Sequence, residues 1–406
     1  AEMGQGAYTG MAQVLAEELD ADWDRVVAQH LDSLDAEFKH QDWGVIATGA
    51  STSVTNQWQN LREIGATARA MLIEAAAQRW GVAAGDLAAE RSVITHPRGD
   101  TPTYGELSSA AAALPQPTPV SLKSRAAYQL IGKNILRIDS AVKGSGGSTF
   151  GMDVQRTNML VAAVQHAPVF GARLRALNAT AAEAMPGVVK VVQIPTGVAV
   201  IAETFWQAKT AKDRLQIEWD EGAFAQTSSA SLWDEYSALA GQPGPVFEQR
   251  GQLDFAQTSE QFSGEFRFPF LAHAPMEPLN ATVQLSNGRC EIWAGTQFQD
   301  IDVINIEKLT GVAAKTITIN TQWLGGSFGR RAAPHADFLV DAVNIAKASG
   351  LSRPIKMIWQ REDDIQGGYY RPMVMHRYQI GLDNNMPTQW RHTVVGASIS
   401  TGTAGR

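Results

Sequence analysis

The chain has 406 residues, 44% hydrophobic and 18% charged, long enough for two or three hydrophobic cores rather than one. Its formal net charge of −7 works against recognition of nucleic acid or an anionic membrane surface, both of which need a basic face. Cys290 is the single cysteine, which excludes an intrachain disulfide and any multi-cysteine zinc or iron–sulfur site within this chain.

The chain opens with Ala1-Glu2-Met3-Gly4-Gln5-Gly6 and enters an acidic helix, the wrong charge for a targeting segment. A start without methionine, inside a motif, leads us to expect a fragment or a processed chain. Met11, Val14, Leu15 and Leu19 fall on one face of that first helix. A second helix is expected over 57–80, with a stripe of Trp58, Leu61, Ile64, Met71, Leu72 and Ala75 and a stop at Gly81. Pro115, Pro117 and Pro119 mark a linker over 115–130. From 131 the texture changes. Strands at 188–194 and 198–202 flank the turn Pro195-Thr196-Gly197; a helix over 205–214 and a strand at 215–219 follow, giving a compact α+β unit over 131–222. The apolar run 188–205 is too broken, by Lys190, Pro195 and Glu203, to cross a membrane.

Residues 223–260, rich in Ser, Gln, Gly and Pro around one short helical patch, read as a second connection. Beyond it, 282–285 and 289–293 flank Ser286-Asn287-Gly288, a hairpin signal. Then come a helix over 301–309, a strand at 316–321, a glycine-rich loop, a helix over 336–348 closed by Gly350, and a strand at 355–359. The fold class expected is α+β.

The sharpest local feature is Gly325-Gly326-Ser327-Phe328-Gly329-Arg330-Arg331, between a predicted strand and a predicted helix. Glycines there let main-chain N–H groups approach oxygen atoms of a ligand, and the two arginines can pair with phosphate. A plain glycine turn with surface arginines is equally compatible with the spacing. The pattern is neither a Walker loop nor a dinucleotide fingerprint. Gly4-Gln5-Gly6 and Thr48-Gly49-Ala50-Ser51-Thr52-Ser53 each precede a helix. Either can hold polar ligand groups, or serve as an ordinary turn and cap. The eight histidines are scattered, without i,i+4 pairs or an H-E-x-x-H, so no metal site made of protein side chains is expected. Arg371, after Gly367-Gly368-Tyr369-Tyr370, can receive an anionic or carbonyl group or form a structural ion pair. His273 and Glu277 read as a polar cluster in a proline-punctuated loop.

Together these segments resemble the xanthine oxidase/aldehyde oxidase family of molybdenum hydroxylases, in its isoquinoline 1-oxidoreductase beta branch. Glu2-Met3-Gly4-Gln5-Gly6 is similar to the family's E-M-G-Q-G segment, and 325–331 to its G-G-x-F-G-R-R loop. Arg137-Ile138-Asp139, Phe150-Gly151-Met152-Asp153, Met185-Pro186-Gly187-Val188 and the strand 215–219 resemble the "hammerhead" domain. The implied organisation is a first molybdopterin-binding segment (1–114), the linker, the hammerhead (131–222), the connection and a second molybdopterin-binding segment (261–406).

The resemblance implies a molybdenum–molybdopterin cofactor, in this branch as the cytosine dinucleotide. It places the backbone N–H groups of Phe328 and Gly329 at the oxygen ligands of molybdenum. Gly4, Gln5 and Gly6 fall at the pterin, Ser51, Thr52 and Ser53 at the pterin or its phosphates, and Gly325, Gly326, Ser327 and Arg330 in the binding loop. Arg371 matches an arginine that steers substrate. The implied reaction oxidises an aldehyde or an electron-poor ring carbon with oxygen from water. Electrons would leave to a [2Fe–2S] small subunit, with a cytochrome c subunit as a further partner, in the periplasm.

Two departures accompany this. Leu271 stands where xanthine oxidases place a glutamine. No G-E-x-x-x-P-like segment carrying the general base occurs, so no base is assigned and Glu277 does not fill that role. The remaining cofactor-binding half is expected on a second chain or missing from this one. A non-catalytic cofactor-binding or assembly subunit on the same scaffold is the rival reading.

Overall fold

The computed structural model describes residues 1–30, 39–96, 99 and 101–398. The chain is α+β and divides into two compact units: Ala1–Arg156 with Asn280–Leu339, and Thr157–Leu279 with Val340–Arg406.

In the first unit the helix Ala7–Leu19 crosses the helix Ser53–Trp80. The crossing is close because Gly65 has no side chain. A Cβ there would lie 2.6 Å from the Leu15 carbonyl oxygen and 3.0 Å from Glu18 Cβ, closer than packed atoms tolerate. The far half of the long helix buries Leu72, Ala75 and Ala76 against Ile94 of a short hairpin and against Leu107 and Ala111. The last two lie on the helix Tyr104–Ala112, which starts in a capping box between Thr103 and Glu106.

The other half of this unit is a hairpin, Asn280–Ser286 with Arg289–Ala294. Its turn places Asn287 and Gly288 at φ 52° and 70°, as a type I′ turn requires. The helix Gln299–Thr310 then crosses to Ile317–Thr321, which pairs parallel with Arg289–Ala294.

Two buried carboxylates at the end of the first helix fasten the second half of the proline linker and Ile131 beyond it. Glu17 accepts N–H bonds from Gln129, Leu130 and Ile131 at 2.6–3.0 Å and pairs with Lys123 Nζ at 2.9 Å. Glu18 pairs with Arg62 at 2.7 Å and accepts from the Lys123 N–H. Burial alone would push the Glu17 carboxyl up, yet the N–H donors and the Lys123 ammonium outweigh it and hold the carboxyl below its ordinary value. A depressed carboxyl stabilises the fold above its unfolded value of about 4.3, and that contribution is lost as pH falls through the folded value. Glu17→Gln should therefore cost about 1–3 kcal/mol at neutral pH, because an amide NH₂ would face three N–H donors. The deficit should shrink on acidification, as read by thermal melts from pH 7 to pH 3. A constant deficit would remove Glu17 from the role of charged anchor.

In the second unit Leu160–His166 lies between Ile355–Ile358, to which it is parallel, and Gly197–Ala202, to which it is antiparallel; Val188–Ile194 completes the row. All six residues of Gly197–Ala202 are buried. The helix Phe205–Lys212 packs on these strands through Ala208 and Ala211. Arg173–Asn178 and Gln216–Asp220 form a separate antiparallel ribbon. Glu260–Phe268, Val374–Asp383 and Met386–Gly396 form a third, wholly antiparallel sheet.

Several sequence expectations are revised. The second helix begins at Ser53, a turn earlier than 57. The stretch 223–260 holds a full helix, Ser229–Ala240, opened by a Ser228 capping box. Residues 131–156 group with the first unit and 157–222 with the second. After the strand Ile355–Ile358 and a short helix, Arg361–Gln366, the chain adds two long strands rather than a further strand–helix pair. Among the described residues no helix is long and apolar enough to cross a membrane.

Candidate functional site

Three loops of the first unit, distant in sequence, are tied to one another. The first is residues 2–6. The buried Glu2 carboxylate accepts N–H bonds from Gly4 at 2.8 Å, Gly6 at 3.1 Å and Tyr8 at 3.0 Å, and pairs with Arg137 at 3.2 Å. Winding the backbone around its own side chain requires Gly4 and Gly6 at φ 105° and 86°, a region glycine alone enters cheaply. The Gly4 and Gly6 amides are thus committed to Glu2. The Gln5 side chain folds back onto Ala1 O and the Met3 N–H, while its own N–H meets no acceptor among the described residues.

The second loop is 48–53. Ala50 and Ser51 sit at φ 49° and 57° and are exposed. Thr52 is turned inward, with Oγ1 bonded to Gly49 O and to His40 Nε2 at 2.9 and 2.8 Å. Among the described residues no protein group bonds the Ser51 or Ser53 hydroxyl.

The third loop is 323–331. Trp323 packs edge-on against Tyr8, 4.9 Å between ring centroids, and beside His30 at 5.0 Å. The Leu324 N–H donates to Glu2 O at 3.3 Å. Gly326, Phe328 and Gly329 take φ of 90°, 56° and 95°. This near-continuous left-handed path turns main-chain N–H groups outward in the manner of an anion nest. Among the described residues no acceptor takes the N–H of Phe328 or of Gly329. The Phe328 side chain is 73% exposed, whereas Ser327 beside it is buried.

Gln297 joins the second and third loops. Its Nε2 donates to Thr48 O at 2.7 Å, its Oε1 accepts from Ser327 Oγ, and its own N–H donates to Arg331 O at 3.1 Å. Its carbonyl accepts from the Thr48 N–H at 2.9 Å. Next to it Thr296 Oγ1 donates to Asp302, whose fully buried carboxyl is raised well above its ordinary value by desolvation. His30 is kept neutral, its imidazole lowered to about 4 chiefly by burial.

The two arginines of the third loop do not present themselves to a phosphate as the sequence led us to expect. Arg330 is buried and grips Asp337 through both terminal nitrogens, at 3.0 and 2.5 Å. Arg331 is buried against the carbonyls of Gly326 and Gly295, each at 3.2 Å. Both hold the loop's shape, and the ligand-facing donors left are main-chain ones.

Arg371 belongs to the second unit. Its main chain forms a two-bond bridge with Leu271, and its guanidinium donates to Pro269 O at 2.5 Å from an exposed position. His273 bonds Tyr369 O at 3.1 Å, in the same stretch. Glu277 is buried. Among the described residues no cluster of His, Cys, Asp or Glu has the makings of a metal site.

Sequence reasoning overlooked Gln297, Thr296 and His30. The signal for the first two was a pair of uncharged polar residues directly after a strongly apolar strand end, Ile292-Trp293-Ala294, where a buried polar hub is a standing possibility.

Comparison with known proteins follows the same loops. Residues 1–162 and 241–392 each match a family described as "Molybdopterin cofactor-binding domain". The chain is 33% identical to the isoquinoline 1-oxidoreductase subunit beta of Brevundimonas diminuta, over 98% of this chain and 57% of that protein. It is 28% identical to a Gluconacetobacter polyoxogenes protein named membrane-bound aldehyde dehydrogenase (pyrroloquinoline-quinone), over 94% of this chain and 51% of that one. The chain thus spans little more than half the length of these curated relatives. The crystal structure of quinoline 2-oxidoreductase from Pseudomonas putida 86 shares the fold, with a TM-score of 0.51 and 21% identity over 62% of this chain and 37% of that chain.

Proposed function

Because the chain belongs to the molybdopterin-binding chains of the xanthine oxidase family, we propose that it is the cofactor-holding part of a molybdenum hydroxylase. Its substrate class is an aldehyde or an N-heteroaromatic ring carbon next to nitrogen, oxidised with oxygen from water. The observation that carries this reading is the pair of unengaged N–H groups at Phe328 and Gly329. They sit in a left-handed loop that Gln297 and Glu2 tie to the other two loops.

In this reading the Phe328 and Gly329 amides would help hold the metal end of the cofactor and the Gln5 N–H would help hold the pterin. The Ser51 and Ser53 hydroxyls reach the pterin or its phosphates, and Gly325, Gly326 and Ser327 shape the cradle. When bound, the molybdenum–pterin supplies the two-electron redox chemistry. The chain supplies fixed dipoles that need no rearrangement as charge develops. Arg330 and Arg331 act one step removed, by locking the loop. Cys290 is alone and buried, so electrons must pass to a partner; we assign a [2Fe–2S] subunit, with a cytochrome c subunit beyond it. The cytosine dinucleotide form and the periplasmic setting complete the proposal.

Elemental analysis and pterin extraction of the purified complex test it. Molybdenum and pterin in equal amounts are expected. A folded, active preparation with neither, or one carrying a quinone cofactor instead, overturns it. The rival reading is a cofactor-holding subunit without chemistry of its own. Turnover with an artificial electron acceptor when the remainder is supplied argues for the enzyme, and full molybdenum content without turnover in any combination argues for the holder. Within the enzyme reading, Arg371→Ala should lower kcat/KM by about 10–100-fold through lost substrate positioning, with molybdenum content unchanged. Unaltered turnover would take Arg371 out of the site.

A further inference from the structure

The antiparallel sheet of the second unit has two unlike faces. On one, Glu265 pairs with Arg267 and Arg377, each at 2.7 Å. The helix Ser229–Ala240 lies against that face, with Trp233 under the Arg267 guanidinium. Strand alternation puts the aromatic residues on the opposite face. Phe262, Phe266, Phe268, Trp390 and Val394 are there 43–54% exposed.

These residues are not scattered. The register aligns Phe262 with Ile380 and Trp390, and Phe266 with His376 and Val394. Tyr378, at the centre, meets Phe266 edge-on at 5.8 Å and Trp390 at 5.4 Å, and stacks on His392 at 4.2 Å. Gly264 faces Tyr378 across the ladder, and the Phe262 and Phe266 rings close over it. His376 and His392 bond to each other at 2.8 Å. Partial burial and the neighbouring His376 keep His392 below its ordinary value. A continuous aromatic surface on a three-stranded sheet has the composition of an interface centre, not of a solvated face.

We propose that this face is the docking surface for the remainder of the subunit, the portion that the relatives carry outside their match to this chain. Those relatives are nearly twice as long as the matched portion, and the polar face of the sheet already has its covering helix. The partner's identity rests on the functional reading above, while the need for an apolar cover does not.

The probe is the part of the Brevundimonas diminuta subunit lying outside its match, co-expressed with this chain and followed by pull-down and analytical ultracentrifugation. A 1:1 complex is expected. Phe266→Glu and Val394→Lys should each weaken it at least tenfold while leaving the circular-dichroism melt of the free chain unchanged. Gln261→Glu, on the opposite face, should bind as wild type. Hydrogen exchange in the complex should slow over 260–268 and 374–396.

No complex, or a complex indifferent to both charged variants, overturns the proposal. So does a homodimer of the chain alone that Phe266→Glu dissolves, or binding to phosphatidylglycerol vesicles that the same variant abolishes. The assay needs no metal. Complex formation by a chain that never carries molybdenum leaves the docking surface standing and removes the cofactor reading, whereas a molybdenum-loaded chain that forms no complex does the reverse.

Discussion

Gly326→Val should leave a folded chain that retains no more than about a tenth of the wild-type molybdenum and pterin, the loss expected when one strained residue misdirects a preorganised set of donors. Gly326 takes φ of 90°, outside the region open to side chains branched at Cβ. Even the milder left-handed conformation costs an L residue about 1–2 kcal/mol. Its carbonyl accepts from Arg331 Nε, so the loop cannot relieve the strain by flipping that peptide without breaking the bond. The backbone must move elsewhere, and the two residues downstream, Phe328 and Gly329, hold the open amides. The global fold should barely respond, since the core of this unit around Leu72, Ile94 and Leu107 shares no residue with the loop. Elemental analysis, pterin extraction and a melting curve separate these effects. Gly326→Ala, with the same φ problem but a smaller side chain, should fall between the two. A valine variant with full molybdenum content would mean that the loop does not contact the cofactor.

Elements whose burial pattern is local were readable from sequence, and those fixed by distant partners were not. The hairpin at 280–294 announced itself through Asn287-Gly288, because a type I′ turn is chosen by those two residues alone. Val188–Ile194 and Gly197–Ala202 were equally plain, being apolar runs around a turn. Val374–Asp383 and Met386–Gly396 went unseen. Their apolar and polar residues alternate as a strand should, but the turn between them is Asn384-Asn385 at φ 52° and 63°, a weaker signal than Asn-Gly. Ser229–Ala240 reads from sequence only as a short helical patch because its surroundings are polar, although Ser228 supplies a capping box.

At the site, the motif residues stood out because glycines were needed. What those glycines serve was less visible. That Glu2 consumes the Gly4 and Gly6 amides, or that Arg330 is engaged by Asp337, depends on atoms that meet only after folding. Gln297 is the extreme case. It sits in no pattern, and its partners are roughly 30 and 250 residues away.

That dependence makes Gln297→Glu the most disruptive single-atom exchange expected here. Gln297 is only 2% exposed and uses both ends of its amide, donating to Thr48 O and accepting from Ser327 Oγ. A glutamate keeps the acceptor but sets a second oxygen against the Thr48 carbonyl, in a region where burial already raises the Asp302 carboxyl. Once ionised, the introduced carboxylate would be a buried charge facing the Thr48 carbonyl, at a cost of about 3–5 kcal/mol. The folded value of that carboxyl must therefore rise, and the sign of the pH dependence follows. The penalty is present above the unfolded carboxyl value of about 4.3, grows until the folded value is reached, and fades as pH falls and the acid is protonated in both states. At pH 8 the variant should melt well below wild type and retain little molybdenum, because the loops at 48–53 and 325–331 lose their common tie. Near pH 5 much of the lost melting temperature should be recovered. Gln297→Leu removes the same bonds without adding a titratable group, so its deficit should stay flat over that range. Parallel pH profiles for the two variants would show that Gln297 is not enclosed as described, and a wild-type melt with full cofactor in both would remove it as the link between the loops.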